Sequence, residues 1–101
     1  SSIFLIEPKR YCTSCHKTVS YILDKTASSK NMYIISQSYN SQYDSMFNQI
    51  LIDFNGNFEL LDLGVNSASI IFLKSNKIEY ITEINNYSLP KIEKYLKEYN
   101  I

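Results

Sequence analysis

The sequence predicts an α/β fold, a central mixed β-sheet flanked by helices in the order βαβ…ββα, and three observations carry that prediction. A continuous apolar run, Ile3 to Ile6, stops ahead of Pro8 and is followed by apolar residues at helical spacing, Cys12, Cys15, Val19, Ile22 and Leu23. A second run of strand length, Met32 to Ser36, comes soon after that helical segment. Near the C-terminus two strand-like segments, Ser69 to Lys74 and Lys77 to Thr82, flank a polar Ser75-Asn76 turn and precede a final helical stripe.

The chain of 101 residues is expected to form a single domain, residues 1–101. A domain of that size buries roughly two-thirds of the surface its unfolded form exposes, so it folds without a metal or disulfide framework. Ten acidic and ten basic residues balance. Without a basic patch or a like-charge run, neither nucleic acid nor an anionic membrane surface is an expected partner. No segment approaches the roughly 20 apolar residues that cross a bilayer, so no membrane span is expected. The chain opens Ser1-Ser2-Ile3 without a charged-then-apolar leader; any signal peptide or preceding domain is expected to be removed or to lie outside this sequence.

In chain order, Ile3 to Ile6 reads as a strand covered on both faces, as in the middle of an α/β sheet. Pro8 lacks an N–H and holds Glu7 extended, which ends the strand and leaves Lys9, Arg10 and Tyr11 as a short loop. The helix from Cys12 runs to about Thr26 or Ser28, and Ser28-Ser29-Lys30-Asn31 breaks it. Strand, helix and strand with short connections form a βαβ unit, whose right-handed crossover makes the strands a parallel pair. Ser41 can cap a helix through Tyr43, Met46, Phe47 and Ile50; Ile50 to Asp53 looks extended, Asn55-Gly56 signals a turn, and Phe58 to Leu63 fits a strand or a short helix ending at Gly64. The last third is a β-hairpin and a helix with Ser88 as N-cap, Pro90 in the first turn, and Ile92, Tyr95, Leu96 and Tyr99 as its buried stripe.

Tyr11-Cys12-Thr13-Ser14-Cys15-His16-Lys17 holds both cysteines and the single histidine of the chain. Taken alone, C-x-x-C is a dithiol pair, half of a zinc site, or, followed by His, a haem-attachment sequence. Zinc lacks a second Cys/His cluster to complete four ligands. Haem would take His16 as axial ligand with Met32 or Met46 opposite, on a chain whose strands do not suit a small helical cytochrome. His16 by itself reads most simply as an exposed polar residue, and Tyr11, Tyr33, Tyr80, Tyr95 and Tyr99 as core-edge residues.

The element order, with C-x-x-C at a strand-to-helix junction, resembles the thioredoxin-like superfamily over nearly the whole chain. The segment from Gly64-Val65 through Ser69 to Leu73 is similar to one that TlpA-like thiol-disulfide oxidoreductases and thioredoxins write as Gly-Val, two or three residues, Thr-Pro and an apolar strand. Cys15-His16-Lys17 is similar to the continuation in some periplasmic disulfide isomerases. There are three departures. The family's cis-proline falls at Ser69 (or Ala68), and because a cis bond without proline costs about 2.5–4 kcal/mol a trans bond is expected there. Tyr11 stands where a tryptophan is common, and Glu7, one residue closer to the first cysteine than the thioredoxin aspartate, is the nearest candidate for a buried proton acceptor.

The resemblance implies a thiol-disulfide oxidoreductase in which Cys12, at the positive end of the helix, is the nucleophile and Cys15, one turn inside, the resolving thiol. Lys9, Arg10, His16 and Lys17 would support the thiolate, Glu7 would accept a proton, and Ser69 would be a loop residue facing the dithiol. It further implies an extracytoplasmic monomer, in the periplasm or at the cell surface, that needs no cofactor and trades electrons with protein thiols or disulfides and an upstream redox partner. The alternative is a catalytically weak thioredoxin-fold binding or structural domain of a larger secreted protein, and a haem-carrying electron-transfer protein is the third reading.

Overall fold

An extended run with side chains on alternate faces can hydrogen-bond on both edges, and Ser2–Glu7 does so as the central strand of a five-stranded sheet. The structure is a computed structural model, and it describes residues 1–37, 50–52 and 67–99. In chain order the elements are β1 (Ser2–Glu7), α1 (Thr13–Thr26), β2 (Met32–Ser36), β3 (Ile50–Ile52), β4 (Ser69–Lys74), β5 (Lys77–Glu83) and α2 (Leu89–Glu98). The sheet order is β3-β2-β1-β4-β5. β1 pairs with β2 in parallel, and β2 with β3; β1 pairs with β4 antiparallel, and β4 with β5. The expected βαβ unit, hairpin and terminal helix are therefore present. The expected helix from Ser41, the Asn55-Gly56 turn and the segment from Phe58 to Leu63 lie outside the described residues, while Ile50 opens β3.

Strand alternation decides which residues the helices cover. Ile3 and Leu5 on β1, Met32 and Ile34 on β2, and Ile70 and Phe72 on β4 are buried with Val19, Ile22 and Leu23 of α1 and Ile92 and Leu96 of α2. The two helices are tied directly. Glu93 on α2 accepts from the Tyr21 hydroxyl (3.1 Å) and from the Lys25 ammonium (3.0 Å) on α1. Lys25 and Tyr21 hold the Glu93 carboxyl below its ordinary range, and Tyr21 with Glu93 holds the Lys25 ammonium above its own. On the opposite face Phe4 stacks on Tyr33 with ring centroids 5.3 Å apart, and Ile71 and Leu73 are half-buried.

Two local readings are corrected. Ser88 holds the N-cap position of α2 but has helical dihedrals and makes no capping bond; its hydroxyl donates back to the Glu83 carbonyl at 2.6 Å. Asn85 takes over part of that task, its side-chain oxygen accepting from the Tyr87 and Ser88 backbone N–H groups at 2.9 Å each. Ser69 is not a loop residue. It is the first residue of β4, buried, and paired with both Ile6 and Glu83.

Phe72 is the hub of an aromatic cluster, 5.1 Å from Tyr95, 5.2 Å from Tyr99 and 6.3 Å from Tyr80 between ring centroids. Its truncation to alanine removes a fully buried ring and is expected to cost about 3–5 kcal/mol in urea unfolding. Tyr87→Ser, at a ring that is 96 % exposed, should leave the midpoint in place. The Tyr99 hydroxyl donates to Glu79 at 3.2 Å, and burial, with that bond, pushes it up to about 12 from an ordinary value of 10.0. A phenol that is harder to ionise in the fold than in the unfolded chain stabilises the fold fully below pH 10 and loses that contribution as the pH climbs toward 12. Thermal unfolding between pH 9 and 12 should therefore show an alkaline loss of stability that is reduced in Tyr99→Phe.

Candidate functional site

The chain leaves β1 at Glu7, turns through Pro8 to Tyr11, and enters α1 at Thr13, so Cys12 becomes the N-cap residue. Its backbone is extended (φ −61°, ψ 141°), the conformation an N-cap residue adopts before the helix begins. Its sulfur and its carbonyl oxygen both accept from the Cys15 N–H, at 3.1 and 3.0 Å, and the carbonyl also accepts from His16 N–H at 3.3 Å. Two intervening residues bring the cysteine Cα atoms within 5.2 Å, and the sulfurs are joined as a Cys12–Cys15 disulfide. Cys12 is exposed and Cys15 is half-buried. The Ser14 hydroxyl lies 3.7 Å from the Cys12 sulfur.

A polar floor borders this turn. Parallel register places Glu7 opposite Ser36, both buried, and the Ser36 hydroxyl donates to Glu7 Oε1 at 2.9 Å. The other carboxyl oxygen, Oε2, accepts from the Tyr11 hydroxyl. Gln37 ties the same strand ends together, its N–H donating to the Glu7 carbonyl at 3.1 Å and its side-chain oxygen accepting from Lys9 N–H at 2.7 Å. The Tyr11 ring, half-buried against the core, stacks on the His16 imidazole with centroids 3.8 Å apart and planes 21° off parallel. His16 and Lys17 are exposed, as are Lys9 and Arg10, and no acidic residue occupies the first turn of α1.

Of the residues singled out from sequence, Glu7, Tyr11, Cys12, Cys15 and His16 are thus linked by hydrogen bonds, the bridge and the ring stack, and Lys17 follows them on the same turn. Ser69 lies at the same end of the sheet, opposite Ile6 and so one register step from Glu7, with its hydroxyl donating to the Ser67 carbonyl at 3.1 Å. No described residue has a cis peptide bond, so the Ser69 position is trans, as expected. Ser36 and Gln37 went unnoticed in the sequence. The signal was there in one respect: a serine closing the apolar run Tyr33-Ile34-Ile35 must find a partner if that strand is central.

Among the described residues no group of three or more His, Cys, Asp or Glu side chains is placed to hold a metal ion. No described helix is long and apolar enough to cross a membrane. Fold and site together define a small α/β protein with a mixed sheet and a C-x-x-C disulfide at the start of its first helix, an arrangement compatible with a thioredoxin-like fold. Comparison with protein-family models, with curated proteins and with solved structures gives no match.

The buried Glu7–Ser36 bond is a direct test of the floor. Ser36→Ala removes one donor from a buried carboxyl and is expected to cost about 1–3 kcal/mol in urea unfolding. A loss below about 0.5 kcal/mol, the size typical of surface sites, would mean that water reaches Glu7.

Proposed function

We propose that this protein is a thiol-disulfide oxidoreductase acting as one domain, with Cys12 as nucleophile and Cys15 as resolving thiol. The observation that carries the reading is the Cys12–Cys15 bridge at the N-terminus of α1, with the first sulfur exposed and the second half-buried. In the reduced protein the Cys12 thiolate attacks one sulfur of a substrate disulfide, forming a mixed disulfide and expelling the other substrate sulfur as a thiolate. The Cys15 thiolate then attacks the Cys12 sulfur, re-forming the bridge and releasing the second substrate thiolate. Two electrons leave the protein in each cycle, so an upstream dithiol donor must reopen the bridge.

Features of the site support this cycle. The Cys15 N–H and the positive end of α1 meet the Cys12 sulfur, and the two charged side chains nearest to Cys12 in sequence, Lys9 and Arg10, are cationic. Glu7, buried beside the turn with Tyr11 on its Oε2, takes the proton of the resolving thiol. A disulfide suits an oxidising compartment such as the periplasm or the cell surface.

One observation favours a second reading, a binding or structural domain that keeps the bridge without turning it over. The carbonyls leading into β4 already have partners: the Ser67 carbonyl accepts from the Ser69 hydroxyl, and the Ala68 carbonyl from Ile84 N–H at 2.8 Å. Reduction of insulin disulfides by dithiothreitol, followed as turbidity, separates the two. The wild type should accelerate it, Cys12→Ser should return it to the uncatalysed rate, and Cys15→Ser should trap a mixed disulfide. A wild type no faster than Cys12→Ser sinks the oxidoreductase reading and leaves the binding domain.

A further inference from the structure

Tyr11 precedes the first cysteine and His16 follows the second, and their rings stack at 3.8 Å. The bridge joins residues 12 and 15, so the stack is a second, outer closure of the same loop. It is also anchored. The Tyr11 hydroxyl donates to Glu7 Oε2, and Glu7 is fixed from its other oxygen by Ser36, both residues being buried at the ends of paired strands.

We propose that Tyr11 is a positioning residue that clamps His16 across the dithiol and thereby stabilises the disulfide over the reduced form. The inference rests on the reading of Cys12 and Cys15 as a reversible pair. Reduction replaces the sulfur–sulfur bond by non-bonded contact, which frees the side chains on either side of it for spreading. The stack opposes that spreading, so closing the bridge and closing the stack favour each other. By reciprocity, anything that removes the stack makes the bridge easier to reduce. His16 takes part through its ring face, a role that requires neither a proton nor a metal.

The test is the equilibrium protein disulfide + 2 glutathione → protein dithiol + glutathione disulfide, a two-electron exchange read by thiol trapping across glutathione ratios. His16→Ala lies at an exposed position and keeps the fold, which circular dichroism checks. It should make the bridge about threefold to tenfold easier to reduce, a rise in potential of ~15 to ~30 mV. Tyr11→Ala, which also removes the bond to Glu7, should give at least a similar rise, and the double variant no more than the larger of the two, because the stack is the contact they share. His16→Phe, which restores a stacking ring, should return the potential to within twofold of the wild type. Unchanged potentials in both single variants, additive effects in the double variant, or no rescue by phenylalanine overturn the clamp while leaving the oxidoreductase reading intact. A wild-type bridge that excess dithiothreitol does not open in the folded protein overturns both.

Discussion

In the parallel register of β1 and β2, Ile3 faces Met32 and Glu7 faces Ser36, and the chain can reach that register only by returning the length of the sheet between the two strands. The return is α1, which therefore runs opposite to both strands and begins where they end. Its N-terminus, with unsatisfied N–H groups and a positive dipole end, is set beside the C-terminal ends of β1 and β2. Without that pairing the cysteines would still be three positions apart, but Glu7 would not meet Ser36 and Gln37 at the start of the loop that leads to them. Open α/β sheets assemble their sites outside the carboxyl ends of parallel strands, and the Cys12–Cys15 bridge follows β1 at that end.

The antiparallel half of the sheet separates stability from chemistry along the same strands. β4 pairs Phe72 with Ile3 at one end of β1 and Ser69 with Ile6 at the other. The Phe72 end carries the aromatic cluster with Tyr80, Tyr95 and Tyr99, where Tyr80 and Tyr95 stack at 4.7 Å. The Ser69 end carries four of the buried polar residues: Glu7, Ser36, Gln37 and Ser69 itself. A buried ring can contribute several kcal/mol, whereas a satisfied buried hydrogen bond is worth about 1 kcal/mol net and is costly mainly when broken. The aromatic end thus holds the sheet together, and the polar end is free to be specified by geometry.

What could be read in the sequence follows the same division. Hydrophobic period located the βαβ unit, the hairpin and both described helices, because burial on one face leaves a periodic trace whatever the partner is. Contacts that depend on register left no such trace. Glu7 at the end of a strand is as consistent with solvent as with burial until its neighbour is known to be Ser36. Ser88 looks like a helix cap by type, yet its hydroxyl turns back to Glu83 and Asn85 supplies the acceptor for the N–H groups. The Tyr11–His16 stack crosses from loop to helix, outside the three- and four-residue spacings that sequence patterns report within a helix. Ser75 and Asn76 both adopt positive φ, at 54° and 63°, the backbone of a tight hairpin turn, as the polar pair between two strands suggested.

The position of Cys12 sets two effects against each other. As N-cap, its sulfur accepts a backbone N–H, and a thiolate is a stronger acceptor than a disulfide sulfur, so helix capping favours the open, reduced state. The Tyr11–His16 stack favours the closed one. A side-chain cap is worth about 1 kcal/mol and an aromatic stack about 0.5–1.5 kcal/mol, so neither dominates by size alone. For a two-electron couple a difference of about 1.4 kcal/mol corresponds to about 30 mV, enough to move a dithiol across a useful part of the range between reductants and oxidants. If the pair turns over as proposed, the flanking residues Tyr11 and His16, and not only Thr13 and Ser14 between the cysteines, set the balance between its open and closed states. Their geometry is set from below by the pairing of Glu7 with Ser36.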